Sequence, residues 1–298
     1  MRSLIAAVAG LVFTGALAVP AQATPPEGKY WRVDMILSRT HPRPVGSGYW
    51  LAERQVSTDW RSPEGKSWTG FRTLGARPKT EKDEAAWRAD GSPKSWTYRT
   101  EGMKISLSTE PGAGHVGPTK GVPKGFRLGE KWVTYQQLQE LPSDPAALKR
   151  YVVANLKTWI KEAADEAKTT SPNSKIEDWE SRLDSYVAIE LSRMLWENPV
   201  PQKVRSAAFQ AFKTTKGVTD LGRAQDSLNR SGQKFALPTL ATKGTVLKQQ
   251  LLVDTKTMTL LAEYTDTTLN GKPFLANTKV ETYKVGWTNE APAVPDGK

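Results

Sequence analysis

Strand-like alternation occupies both ends of this chain and helical periodicity only its middle, and that order constrains the fold more than any other feature. Alternating apolar and polar residues predict strands over 30–37, 49–60 and 67–74, with shorter ones at 96–99 and 103–108. Helical spacing begins at Leu141-Pro142-Ser143-Asp144-Pro145, where Asp144 suits the N-cap and Pro145 the first helical position. Leu148, Val152, Leu156, Trp159, Ala163 and Ala167 then fall on one stripe, which predicts a helix over 144–168. Ile176, Trp179, Leu183, Tyr186, Val187, Leu191, Met194 and Leu195 predict a second over 176–197, ended by Pro199 and Pro201. Val204, Ala208, Ala211 and Phe212 predict a shorter third, ahead of Gly217. Strands resume over 246–253, 258–264 and 280–287, separated by the turns Asp254-Thr255-Lys256-Thr257 and Asn270-Gly271.

Strands grouped around a helical middle imply an α+β fold, since alternating βαβ units would interleave the two patterns. The expected architecture is a strongly curved antiparallel sheet, a half-barrel of about 8–11 strands wrapped around two or three helices. One domain over 24–290 accounts for the pattern, followed by a loose tail at 291–298. Residues 75–125 read as polar and turn-rich. Within them, 110–125 hold five Gly and three Pro and predict an exposed loop.

The chain opens with Arg2, an uncharged apolar run over 4–19, and Ala21-Gln22-Ala23, the layout of a secretory signal peptide spanning 1–23. The run falls short of the about 20 apolar residues that cross a bilayer. The protein is therefore expected to be secreted, with association to the cell wall. It has no Cys, which excludes disulfides, thiolate metal sites and a Cys nucleophile. An exported chain held by packing alone suits a Gram-positive envelope.

Candidate chemistry is sparse. The two His, His41 and His115, lie in Pro- and Gly-rich stretches without zinc-site spacing. There is no G-x-S-x-G elbow, and Gly46-Ser47-Gly48 reads as a turn. Gly112 to Gly125 lacks the ending of a phosphate loop. Glu162, Asp165, Glu166, Glu177, Asp178 and Glu180 could supply the paired acids of a polymer hydrolase, but they interleave with Lys as a solvated helix face does. No catalytic residue, cofactor or metal ligand is assigned. Of eleven Trp, eight fall between Trp31 and Trp159. They read first as large rings filling a curved sheet, and second as the lining of a carbohydrate or lipid site.

The formal charge of +11 is spread along the chain, with Lys29 to Arg32 and Lys94 to Arg99 mixing cations and aromatics. Simple solubility is the first account of such a field; the partners it would favour on an exported monomer are anionic wall polymers or a membrane surface, and nucleic acid is not expected.

Three groups of residues carry a resemblance. They are Leu141-Pro142-x-Asp144-Pro145-x-x-Leu148; Val204-Arg205-x-Ala207-Ala208-Phe209 with Gly217-Val218 and Gly222-Arg223; and Leu251-Leu252-Val253-Asp254 ahead of Leu260-Leu261-Ala262. Together they resemble a family of uncharacterised actinobacterial envelope proteins, many encoded beside extracytoplasmic-function sigma factors. The resemblance covers roughly residues 130–265. It implies a domain similar to lipoprotein-localisation factors and periplasmic sigma regulators, a half-barrel around helices. Two departures stand out. Typical members carry a membrane helix and a cytoplasmic tail where this chain has a leader, which argues against a direct anti-sigma role. Their Asp-Pro-x-Thr-Gly turn is Asp254-Thr255-Lys256-Thr257-Met258 here. The resemblance assigns no site residues.

Together these features make a non-enzymatic carrier the leading expectation, holding a lipid or peptide between sheet and helices. A surface protein bound through charge and an envelope-polymer hydrolase follow.

Overall fold

A computed structural model describes residues 26–100, 103–170, 182–242, 244–274 and 278–297. The leader expected at 1–23 therefore lies outside the described residues. The N-terminal meander consists of β1 (Tyr30–Thr40), β2 (Leu51–Arg61) and β3 (Ser67–Pro78). The C-terminal one contains β12 (Thr245–Asp254), β13 (Thr259–Leu269) and β15 (Lys279–Thr288). What joins them is β1, which pairs antiparallel with β15 over ten residue pairs from Tyr30↔Thr288 to Arg39↔Lys279. The two ends of the chain thus meet in the middle of one sheet, and the helical segment lies between them in sequence.

Short strands extend this sheet: β6 (His115–Pro118) beside β3, and β9 (Thr219–Gln225) and β10 (Ser231–Ala236) beyond β12. With β11 (Leu240–Thr242) on β12 and β14 (Lys272–Pro273) on β13, the sheet has eleven strands and does not close. It is the antiparallel half-barrel expected. The Asn270-Gly271 reversal joins β13 to β14, with both residues at positive φ, as a two-residue hairpin turn requires. In the turn after β12, Met258 holds φ +56, a left-handed value that Gly would adopt without strain.

Three helices fill the concave face. α3 (Pro145–Thr170) starts where Asp144 Oδ1 accepts from the Ala147 amide at 2.7 Å, and it buries Leu148, Val152 and Leu156. α4 (Leu183–Arg193) buries Val187, Ala188 and Leu191, and the expected turns of this helix at 176–181 lie outside the described residues. α5 (Gln202–Lys213) buries Val204, Ala207, Ala208, Ala211 and Phe212. These meet Trp31, Val33, Phe235, Leu251, Val253, Leu260 and Tyr283 of the sheet in one core. Phe209 and Phe212 both stand edge-on to Phe235, at 5.7 and 5.6 Å. The Trp31 indole N–H donates to the Trp196 carbonyl at 3.1 Å, so a Trp fastens the helices to the sheet.

Where the sequence reads as turn-rich, the structure places a further helix, α1 (Glu81–Ala89). Its charged first turn hides the pattern. A capping box starts it, with Thr80 Oγ1 accepting from the Asp83 amide and the Asp83 carboxylate accepting from the Thr80 amide. α1 and the hairpin β4 (Ser95–Thr100) and β5 (Met103–Ser108) enclose a second core of Val45, Tyr49, Leu51, Ala76 and Trp96. Trp87 stands on α1, packed on this core.

A second hairpin, β7 (Phe126–Leu128) and β8 (Lys131–Val133), precedes the short helix α2 (Tyr135–Gln139). Its base is pinned where the Gly125 amide donates to the Gly65 carbonyl at 3.3 Å. Gly65 has φ +79, and a Cβ there would collide with the Gly125 backbone. Residues 291–297, expected as a loose tail, lie on the sheet instead. Pro295 is buried, and side chains added at Gly70 or Gly114 would strike Pro295 or Val294. Among the described residues no helix is long and apolar enough to cross a membrane.

Candidate functional site

The interior between sheet and helices, where a ligand was expected, is occupied by side chains. Leu148, Leu191, Leu195, Leu251, Leu260 and Phe212 are all at most 1% exposed there. A cavity of about 280 Å³ opens elsewhere, walled by α3, α4 and the β7–β8 hairpin, and no residue of the eleven-stranded sheet lines it. That volume falls just below the range of small-molecule pockets, roughly 300–1,000 Å³.

Its apolar wall is Leu128, Leu156, Ile189 and Met194 with the rings of Tyr151, Trp159 and Tyr186. Trp159 and Tyr186 stand edge to face, centroids 6.5 Å apart, the geometry their quadrupoles favour. Helical spacing puts Val152, Leu156 and Trp159 on one face of α3. The hairpin tip closes the far side. Leu128 pairs with Lys131 around the tight Gly129-Glu130 turn, in which Gly129 has φ +61.

Charged groups hold that tip in place. Glu190 on α4 accepts from the Gly129 amide and from Arg193 Nη1, the latter at 2.7 Å. Arg193 also reaches Glu197 at 3.8 Å, and Arg127 pairs with Glu130 at 2.8 Å. Burial pushes Glu190 and Glu197 above the ordinary carboxylate range, against the pull of the nearby Arg side chains. Asn198 Nδ2 donates to the Arg127 carbonyl at 2.6 Å and Gln139 Nε2 to the Pro199 carbonyl at 2.9 Å, which locks hairpin and α2 onto the end of α4.

Two rim charges remain outside these pairs. Lys131 Nζ donates to the neutral Asn155 Oδ1 at 3.1 Å. Glu162, two turns further along α3, has no ion-pair partner among the described residues. Of the three described acids considered for hydrolysis, Glu162 lines the cavity, and Asp165 and Glu166 sit exposed on α3. Glu177, Asp178 and Glu180 lie outside the described residues.

The two His are not brought together. His115 is exposed on β6, its ring tilted against Phe71 at 5.8 Å. His41 is 2% exposed and links two strands that sequence reasoning did not connect. Its Nδ1 lies 2.5 Å from Glu53 Oε1 on β2, and its Nε2 meets the Tyr98 hydroxyl on β4. A carboxylate only accepts, so Nδ1 carries the proton and Nε2 accepts from the phenol. Burial raises the Glu53 carboxyl, but the hydrogen bonds from His41 and Arg39 outweigh it and hold the group below its ordinary range. Arg43 stacks on the Tyr98 ring at 3.9 Å. A carboxylate, imidazole and hydroxyl in series can activate a nucleophile. Here both imidazole nitrogens are engaged between sheet and hairpin, and the chain is a tie that fixes β4–β5 on the second core.

Among the described residues no group of three His, Asp or Glu is placed to hold a metal. Most described Trp serve packing: Trp31, Trp60 and Trp96 are buried and Trp68 leans edge-on to Tyr30, while Trp159, among the described Trp, lines the cavity. Neither family models nor curated proteins nor solved structures yield a match to this chain.

Proposed function

We propose that this protein is an exported, non-enzymatic binding protein that holds a small hydrophobic or amphiphilic envelope ligand in the cavity between α3, α4 and the β7–β8 hairpin. The cavity carries the reading. Aromatic and aliphatic side chains line it, and its tip is held by the half-buried Glu190 and by Asn198 through hydrogen bonds to the hairpin backbone, so the site is formed before a ligand arrives and little ordering opposes binding. The signal-like leader supports export.

The test is titration of the protein with N-phenyl-1-naphthylamine, a neutral apolar fluorophore, alongside its Trp159→Ala and Tyr186→Ala variants. Binding is expected in the parent, weakened about tenfold by loss of either ring. A parent protein that leaves the probe free in water refutes the reading.

One observation favours a second reading, contact with anionic wall polymers. Arg99 and Lys104 are both exposed and stand directly opposite on the β4–β5 pair. Like charges so placed cost stability, and a polyanion would relieve that cost. Retention on the host envelope at low salt, lost at high salt and in Arg99→Glu with Lys104→Glu, is the expected behaviour. Retention that ignores salt removes this reading.

A further inference from the structure

The cavity has direction as well as apolar lining. Its α3 wall runs from Tyr151 to Glu162, so it is elongated along the helix axis. Lys131 reaches Asn155, one turn in from the Tyr151 end, and at the other end stands Glu162. Asn155 and Glu162 are seven residues apart, which at the helical rise is roughly 10 Å. Trp159 lies between them on the same face, set against Tyr186. The other lining charges are already matched, Glu190 by Arg193 and Glu130 by Arg127. What remains for a ligand is a cation at one end, an anion at the other, and an aromatic wall between.

We propose that the ligand is a free peptide of about three residues with a bulky apolar middle side chain. This rests on the proposed binding role of the cavity and names the class of molecule it takes. An extended chain covers up to about 3.3–3.6 Å per residue, so three residues span the interval between the two charges. The terminal carboxylate pairs with Lys131, the terminal ammonium with Glu162, and the middle side chain packs on Trp159 and Tyr186. A fatty acid fits this arrangement less well, because it satisfies Lys131 and leaves Glu162 facing apolar chain.

The experiment is calorimetric titration with Ala-Phe-Ala, its N-acetyl form, its C-terminal amide, and laurate. It is run on the parent protein, Lys131→Glu, Glu162→Lys and the double exchange. Both positions are exposed, so the variants should melt with the parent, which circular dichroism checks. Blocking either peptide terminus, or reversing either single charge, should weaken Ala-Phe-Ala roughly fivefold, the upper range for an exposed pair. The double exchange should restore affinity, with the peptide bound in the opposite sense. Equal binding of free and blocked peptides overturns the proposal, as does tight laurate binding indifferent to Glu162 with Ala-Phe-Ala unbound. If N-phenyl-1-naphthylamine binds the cavity and Ala-Phe-Ala does not, this inference fails while the binding reading stands. If neither binds, both fall.

Discussion

Glu263 and Glu281 stand directly opposite each other across β13 and β15, and both are largely buried. Lys279 Nζ pairs with Glu281 at 2.8 Å, so one of the two charges is compensated. The hydrogen bonds to Glu263 come from neutral groups, Gln249 Nε2 donating to its Oε1 at 2.7 Å and Thr265 Oγ1 at 3.4 Å, and Lys279 acts on it only through its charge. Burial, followed by the charge of Glu281, outweighs these hydrogen bonds and raises the Glu263 carboxyl above its ordinary range. The substitution Glu263→Gln keeps an oxygen to accept from both donors and removes the charge. At neutral pH it should stabilise the protein by about 1 kcal/mol, the cost of a like-charge cross-strand pair. In a chain of this size that raises Tm by about 2–4 °C. The pH dependence supplies the sharper check. A carboxyl raised in the folded state binds its proton more tightly there than when unfolded. Parent stability therefore falls as pH climbs from the ordinary Glu range through the raised value, and Glu263→Gln lacks that fall. Below the ordinary range both forms of the residue are neutral and the two proteins converge. Thermal melts followed by circular dichroism from about pH 4 to pH 8 measure this. A variant less stable than the parent at neutral pH, or a difference that does not change with pH, refutes the reasoning.

Phe212→Ala removes a fully buried ring from against Phe235 and should cost about 3–5 kcal/mol in urea unfolding. Glu53 carries the opposite sign to Glu263: its carboxyl is depressed, so its contribution is present above the ordinary Glu range and lost as pH falls through the folded value. Glu53→Gln should therefore weaken the protein at neutral pH and flatten the acid side of its stability curve. Tyr98→Phe leaves the buried His41 Nε2 without its donor and should cost about 1–3 kcal/mol, with faster amide exchange in β4–β5. Thr80→Ala breaks the α1 capping box and should cost about 1 kcal/mol by urea midpoint.

The helices were legible because each buries a narrow stripe: Leu148, Val152 and Leu156, then Val187 and Leu191, recur at helical spacing. β2 was legible by its alternation, whereas β12 and β13 were legible as short apolar runs, Leu251-Leu252-Val253 and Leu260-Leu261-Ala262, buried on both faces. Two kinds of element escaped. β9 is exposed at six of its seven residues, an edge strand held by backbone pairing with no alternation to read. α1 opens Glu-Lys-Asp-Glu, and its helical signal is the cap at Thr80. The sheet order was hidden for another reason. Alternation says which face a residue takes and nothing about its neighbour, and Tyr30 finds Thr288 at the opposite end of the chain.

The cavity was illegible because its walls look ordinary separately. Leu156 and Trp159 continue a core stripe, Glu190 and Arg193 make an i,i+3 pair of the kind found on any helix, and Gly129-Glu130 is a tight turn. Only the docking of the hairpin through Glu190 and Asn198 turns them into one surface. The same packing moves the binding question away from where the Trp surplus pointed. Trp31 and Trp60 are consumed by the sheet, and Trp196 lies over Tyr283 at 4.8 Å, filling the half-barrel that a carrier of this shape would otherwise leave open. A ligand is left the helix–hairpin cleft, whose floor is apolar and whose two ends differ in charge. If the cleft takes a peptide as proposed, ligand length and terminal charge matter there as much as hydrophobicity, and affinity should not simply climb with added methylenes as it would in a greasy barrel.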